Sequence, residues 1–536
     1  MKVILGVILL ISYVAGSSLR IDPLVLIQQG LVRGQRAEDG DYTTFLGIPY
    51  AAVDEDNPFG PAKPPPAFEE VYKANDGSIM CPQSAFVTRN FMQNMGTETL
   101  DCLRLNIYVP NDATSKNPLP VLVWVHGGGF GGGFAGASSV TSLVSKDIVV
   151  VSINYRLGPY GFMCLDVPSV PGNQGLKDQY AALQWVRNNI GSFGGNPYNV
   201  TLAGQSAGAC SVLLQLYSAK EKLFHKLIVQ SGTPQNEGMF VKRDVDAAKK
   251  VANHLGFNIT DTEQALGFLS KTPFKLVTSA IAELKIKLRP CKELSFSGVD
   301  NFVDTDPFSL SNEKKIQGTP ILIGHTSKEE MSLGSSYYDG YYDDDPFYNR
   351  IVNNYNLEEE KAKKVADTIR HYYVGDQAIS EKLFPELGDF ESDFIFNHPM
   401  QSMITNLLNE NANPVYQYMF SYVGDSGEAG AGHSAELKYL FELTGFSSEM
   451  TEDDKLVSDR LTTMWTNFIK YGNPTPSYAN ALPVTWSKSS LATRPYLLID
   501  KDLRMESRVF SDRMAFWDLF YDNYGTYNKL ARECDI

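Results

Sequence analysis

The sequence predicts an α/β chain built on one large, mostly parallel sheet flanked by helices. Three observations carry that prediction. Val121-Leu-Val-Trp-Val125 and Ile148-Val-Val-Val-Ser-Ile153 are near-continuous apolar runs, the pattern of strands covered on both faces. Strand-like and helix-compatible segments alternate over most of the chain. Finally, Gly204-Gln205-Ser206-Ala207-Gly208 fits G-x-S-x-G and joins an apolar β-type run, Val200 to Ala203, to a helix-compatible run, Ala207 to Leu216. Strand, sharp turn and helix form the setting in which such a serine projects from the end of a sheet, ready to attack. Small residues on both sides let the backbone fold tightly there.

The elements follow in order. Met1-Lys2 is a short basic start, Val3 to Val14 is apolar, and Ala15-Gly-Ser-Ser18 supplies small residues. Residues 1–18 therefore read as a removed secretory signal, and residues 19–536 as one domain of a secreted protein. No later run is long and apolar enough to cross a bilayer, so no membrane anchor is expected. The C-terminal Arg532-Glu-Cys-Asp-Ile536 is neither a retention signal nor a lipid-anchor tail. Leu24 to Gly34 reads as strands around a turn, and Pro58 to Pro66 as irregular surface chain. Leu105-Asn-Ile-Tyr-Val-Pro110, Phe224 to Gln230 and Pro320-Ile-Leu-Ile-Gly324 are further strands, and Leu176 to Asn189 is a helix. Helices dominate from Asp244 to Leu284 and from Leu357 to Tyr373. The tyrosine-rich Ser335 to Asp345 reads as a solvated loop.

Composition narrows the function. The formal net charge is −15 with no basic cluster, which argues against a nucleic-acid partner. There are 6 cysteines. Disulfides are permitted in a secreted protein, but their pairing cannot be read from spacing. No close-spaced Cys or His set suggests zinc. Asn199-Val-Thr and Asn258-Ile-Thr are glycosylation sequons; the first runs into the strand before Ser206 and is expected to be buried, so Asn258 is the better candidate.

A serine hydroxyl needs a base, and the base needs a group to orient it. Of 7 histidines, His433 lies in Gly430-Ala-Gly-His-Ser-Ala-Glu-Leu437, a glycine-rich loop before a predicted apolar helix, where small neighbours leave the imidazole free to reach across. His126 opens His126-Gly127-Gly128-Gly129-Phe130, directly after the strand Val121 to Val125. Such a loop supplies oxyanion-hole N–H groups, here from Gly128 and Gly129, with Ala207 adding another. A carboxylate should follow a further strand, and Ile323-Gly-His-Thr-Ser-Lys-Glu-Glu-Met331 offers Glu329 and Glu330. The order serine, acid, histidine is that of α/β-hydrolases.

With these features together, the chain resembles the type-B carboxylesterase/cholinesterase family, from about residue 25 to about residue 520. Further matches are Phe45-Leu-Gly-Ile-Pro-Tyr-Ala51, Asp101-Cys-Leu-Arg-Leu-Asn-Ile107, Asn154-Tyr-Arg-Leu157, Gly172-Asn-Gln-Gly-Leu-Lys-Asp-Gln179, Phe193-Gly-Gly-Asn-Pro197 and Tyr471-Gly-Asn-Pro474. The Gly-Gln-Ser-Ala-Gly elbow and secretory start look like insect carboxylesterases, including juvenile hormone esterases and antennal esterases. The resemblance implies an α/β-hydrolase fold, Ser206 as nucleophile and His433 as base. It also implies Glu329 as the acid, five residues after the glycine that ends its strand; the family usually has Gly where this chain has Glu330. A Cys81–Cys102 disulfide is implied too, worth roughly 3 kcal/mol by chain entropy. The family's second bridge is expected to be absent, because only Cys291 lies in its region, and Cys210 is expected to be a packed thiol. An Arg and a Glu that pair in the family are replaced by Pro58 and Leu100. The loop from Cys81 to Cys102 holds no Trp, so a quaternary ammonium substrate lacks its cation–π partner. Phe130, Phe134 and Phe396 are candidate pocket walls.

The sequence thus predicts a secreted serine carboxylesterase acting on small hydrophobic esters of xenobiotic, hormone or odorant type, with no cofactor and no metal. The alternative is a non-catalytic binding or adhesion relative. Such relatives typically lose triad residues and often carry a transmembrane stretch.

Overall fold

A computed structural model describes residues 23–83, 95–330, 341–443, 450–477 and 482–531. The signal region 1–18, residues 335–340 of the tyrosine-rich segment and Cys534 lie outside the described residues.

Among the described residues, eleven strands form one sheet: β1 (Gln35–Arg36), β2 (Tyr42–Pro49), β3 (Arg104–Pro110), β4 (Leu119–Val125), β5 (Val149–Ile153), β6 (Gly195–Gln205), β7 (Lys226–Gln230), β8 (Ile321–Thr326), β9 (Val415–Phe420), β10 (Pro495–Ile499) and β11 (Arg504–Ser507). Their order is β11-β10-β9-β8-β7-β6-β4-β5-β3-β2-β1. Strands β4 to β10 run parallel, and antiparallel strands close both edges. The parallel strands are apolar because both faces are covered. Val121, Val123, Val125, Leu202 and Ile323 enter one core; Leu122, Trp124, Ala203, Ile228 and Leu322 enter the core on the opposite face. A side-chain period of two divides each strand between them.

The predicted strands and helices form close to their expected limits. Three helices, Ala247–His254, Thr262–Leu269 and Phe274–Glu283, occupy the stretch expected to be helical. The helix after His433 is only Leu437–Leu440, because the chain then turns to pair Glu442 and Leu443 with Ser139 and Ser138. Helices α1 (Gln174–Asn189) and α2 (Ala207–Tyr217) meet on one side of the sheet. On the other lies α3 (Glu452–Tyr471), which opens on a Thr451/Asp454 capping box and stops at Gly472 in the left-handed conformation.

Strand β5 lies on one flank of β4 and β6 on the other. The loops after β4 and β6 therefore leave the carboxyl end of the sheet at a topological switch point, where ligands bind in open α/β sheets.

Among the described residues there are two disulfides. Cys81–Cys102 is the bridge that the family resemblance implied. Cys164–Cys291, with Cα atoms 6.7 Å apart, corrects the expectation that a second bridge is absent. The partner comes from 127 residues upstream, carried by the turn after Phe162. Asn173 aligns it, since its side-chain amide donates to Cys291 O (2.8 Å) and accepts from Cys291 N (3.0 Å). Cys210 is free and buried, as expected.

A buried ion pair holds the backbone around Pro58. Arg156, wholly buried, forms a bidentate pair with Asp178 (Nε 2.8 Å, Nη2 2.7 Å), and its Nη1 donates to Pro58 O (3.0 Å) and Gly60 O (2.6 Å). Removing one partner of such a pair leaves an uncompensated buried charge. Asp178→Asn is expected to lower unfolding free energy by about 3–5 kcal/mol, read from denaturant titration; an unchanged midpoint would show that the carbonyls alone suffice.

Candidate functional site

Strand β6 ends at Gln205 and α2 begins at Ala207, so Ser206 makes the entire turn, at φ 57° and ψ −123°. A non-glycine residue there is strained and persists only where its surroundings fix it. Ser206 N–H donates to Gln230 O (2.8 Å) and Ser206 O accepts from Cys210 N–H (3.0 Å). A Cβ on Gly204 would stand 2.4 Å from the Gly208 backbone, and one on Gly208 would stand 2.1 Å from Val125 O. Both glycines of the motif are sterically required.

Glu329 and His433 sit on the loops after β8 and β9, and backbone hydrogen bonds stitch these loops together. Lys328 N–H donates to Ala431 O (2.9 Å) and His433 N–H to Glu329 O (3.0 Å). His433 Nδ1 then lies 2.5 Å from Glu329 Oε2, while Glu329 Oε1 accepts from Thr326 N–H (2.8 Å). Burial alone would raise the Glu329 carboxyl, but the His433 ring and the nearby Ser231 hold it below the usual range. Burial would likewise lower His433, and Glu329 overrides it and brings the imidazole above its ordinary value.

His433 Nε2 lies 3.1 Å from the Gln205 side-chain amide, beside the residue that precedes Ser206, and the same amide donates to Ser434 Oγ (2.8 Å). With Gln205 donating, Nε2 is the acceptor and Nδ1 carries the proton toward Glu329, the tautomer of a general base. Ser206 Oγ has no hydrogen bond to His433 in this resting arrangement. Such bonds often form only in the substrate complex.

Glu330, the other candidate acid, makes no side-chain hydrogen bond to His433 among the described residues. Its N–H donates to Ser392 Oγ (3.0 Å). Burial first, then the charge of Glu391, pushes its carboxyl up to about 7. It borders a second cluster, in which Arg350 pairs with Glu391 (2.7 Å) and Glu237 (2.5 Å) and Tyr341 OH donates to Glu391 (2.9 Å).

The loop after β4 is held by several hydrogen bonds. His126 Nδ1 donates to Gly127 O (2.8 Å), its ring stacks on Tyr155, and Tyr155 OH donates to His126 O (2.8 Å). Burial draws the His126 imidazole down to about 4, so it is neutral. Gln83 clamps Gly133 through both backbone groups (2.8 and 3.0 Å). Gly128 and Gly129 adopt φ of 104° and 57°. Their N–H groups and that of Ala207 donate to no described residue, so all three remain free for a ligand oxygen.

Of the candidate wall residues, only Phe396 approaches this constellation, its ring centroid 4.9 Å from that of His433. Phe130 is buried edge-on against Phe162, and Phe134 is also buried, so both are packing residues. Asn258 is exposed, whereas Asn199 in β6 is half-buried and bonded to Lys226 and Lys470 O. Gln205, Ser231 and Glu436 were not singled out from the sequence. Glu436, buried and held above the usual carboxylate range by burial, accepts from Gln230 Nε2 (3.0 Å) and backs the His433 loop. Only Gln205 left a legible signal, as the variable position of the elbow motif.

Comparison with known proteins gives one answer. The carboxylesterase family profile matches residues 21–517. Juvenile hormone esterase of Heliothis virescens is 30% identical, with the alignment covering 94% of each protein. Venom carboxylesterase-6 of Apis mellifera is 29% identical over 84% of this chain and 86% of that protein. The crystal structure of juvenile hormone esterase from Manduca sexta, with OTFP covalently attached, superposes with a TM-score of 0.82 at 26% identity, covering 94% of this chain and 100% of that one. The chain belongs to the carboxylesterase family and is a carboxylic ester hydrolase with an α/β-hydrolase fold.

Proposed function

We propose that Ser206, His433 and Glu329 form the catalytic triad and that Gly128, Gly129 and Ala207 form the oxyanion hole. The observation that carries this reading is the close His433–Glu329 pair beside a serine held at a strained turn. His433 Nε2 takes the Ser206 proton as Oγ attacks the ester carbonyl. The developing oxyanion accepts from the three free N–H groups. The intermediate collapses, His433 returns its proton to the leaving alcohol, and an acyl group remains on Ser206. Water, deprotonated by His433, releases the acid and regenerates the enzyme. Glu329 orients the imidazole and stabilises its charged form. No metal or cofactor takes part in these steps.

The substrates are small hydrophobic esters of xenobiotic, hormone or odorant type. Phe396 beside His433 supports an apolar leaving-group side. Residues 1–18 act as a removed signal and residues 19–536 as one secreted domain. Two disulfides suit an oxidising compartment, and exposed Asn258 suits a glycan. Among the described residues no helix is long and apolar enough to cross a membrane.

Steady-state hydrolysis of naphthyl acetate tests the reading first. Wild type is expected to turn over, and Ser206→Ala to lose roughly 10⁴-fold or more of kcat. A folded wild type inert on short and long esters would favour the binding-protein alternative.

The pH profile follows from the His433–Glu329 pair. Neutral imidazole is the active base, and Glu329 raises its pKa, so kcat/KM is expected to fall as pH drops through a value above that of free histidine. In Glu329→Gln burial prevails, the acid limb moves to lower pH, and plateau kcat falls roughly 10³–10⁴-fold. A limb that stays in place would remove Glu329 from the triad.

Glu330→Gln separates the two acids. Activity is expected to persist. Glu330 titrates near 7 when folded, so between the ordinary glutamate range and pH 7 the folded chain binds a proton that the unfolded chain releases. Stability is therefore unaffected at low pH, declines as pH rises, and is lowest above 7. The variant is expected to be more stable than wild type at pH 8, by up to about 3 kcal/mol, and no more stable at pH 4. Denaturant titration at the two pH values reads this.

A further inference from the structure

A cavity of about 380 Å³ lies against the oxyanion loop, lined on one side by Gly128, Gly129 and Gly131 and on the other by the segment from Thr278 to Arg289. Its charge runs against that of the protein. The chain carries −15 overall, yet the cavity is lined by Lys285, Lys287 and Arg289 and, among the described residues, by no Asp or Glu. The two lysines are exposed and solvated; Arg289 is half-buried.

Arg289 is the unusual member. Nη1 donates to Leu288 O (2.8 Å), and the other guanidinium nitrogens have no hydrogen-bond partner among the described residues. Among the described residues no carboxylate pairs with it. Burial works against its charge. An uncompensated, partly desolvated guanidinium next to an apolar cavity is a ready acceptor for an anion, and its planar fork suits a carboxylate. Its Nη2 lies 3.6 Å from where a Cβ on Gly129 would stand. The charge therefore borders the glycine whose N–H points at the reacting carbonyl.

His433, Gln205 and Phe396 do not line this cavity. Ser206 does not line it either, so the cavity meets the reacting centre through Gly128 and Gly129, and an acyl chain running from the bound carbonyl past these two glycines enters it. Ile281, Ile286, Leu288 and Pro159 supply apolar walls for that chain. We propose that this cavity is an acyl subsite with Arg289 as its anion anchor, selecting esters whose acyl chain ends in an anionic group, such as the monoesters of dicarboxylic acids. The inference rests on the esterase reading above and adds the substrate class.

The test compares mono-4-nitrophenyl glutarate with its neutral counterpart, methyl 4-nitrophenyl glutarate, on wild type, Arg289→Gln and Arg289→Lys. The expected result is a ratio of kcat/KM, anionic over neutral, higher in wild type than in Arg289→Gln by roughly ten- to a hundredfold, the worth of one charge-assisted hydrogen bond. Arg289→Lys recovers part of that ratio, and added salt lowers it in wild type. An equal loss on both esters in Arg289→Gln overturns the proposal and leaves Arg289 a stabiliser of the oxyanion alone. The same ratio in all three proteins overturns it as well. Should neither ester be turned over by folded wild type, the esterase reading fails, and calorimetry with glutarate decides the subsite by itself. Glutarate binding to wild type and lost in Arg289→Gln supports the anchor, and absence of binding overturns it.

Discussion

Much of the site depends on one backbone constraint, the positive φ of Ser206. Strand β6 must stop and helix α2 must start within a single residue. The serine is fixed by β7 through Gln230 O and by the first turn of α2 through Cys210 N–H. The same tight geometry sets Ala207 N–H free at the helix start, because the first N–H groups of a helix have no partner within it. The turn thus presents a hydroxyl and a donor together, and the parallel sheet is the scaffold rigid enough to hold the strain.

Adjacent residues show how far local surroundings govern chemistry. Glu329 and Glu330 are neighbours in sequence and both are buried. Glu329 has the His433 imidazole and Thr326 N–H and is held in its charged form. Glu330 has the repulsion of Glu391 and no cation of its own, since Arg350 is already bonded to two other carboxylates, and it titrates near neutrality. One peptide unit separates a fixed negative charge from a proton-holding acid.

Legibility followed the physics of each element. Strands β4 and β5 were plain in the sequence because burial on both faces demands unbroken apolar runs. Strand β9, Val-Tyr-Gln-Tyr-Met-Phe, was not: its Gln417 is buried by bonding Gln401, a compensation invisible in one dimension. Helix α3 opens with four charged or polar residues and hides its apolar stripe behind them. The elbow and the glycine loop were legible because steric necessity fixes residue types at fixed spacings. The Cys164–Cys291 bridge was not, since its cysteines meet through the path of the whole fold and not through any local pattern. Gln205 could be seen in the motif, but its bond to His433 requires two loops 228 residues apart to converge.

The segment from Thr278 to Cys291 forms a separate wall of the cavity beside the glycine loop. Cys164 pins its end covalently and Asn173 holds the same backbone by two hydrogen bonds, both from outside the loops that carry Ser206, Glu329 and His433. Residues upstream of that anchor, Arg289 included, can therefore vary without disturbing the elbow or the Glu329–His433 pair. The architecture separates what reacts from what is recognised. A duplicated copy of such a chain could acquire a new diet by rewriting a dozen or so residues of one wall, its inherited chemistry intact from the first generation.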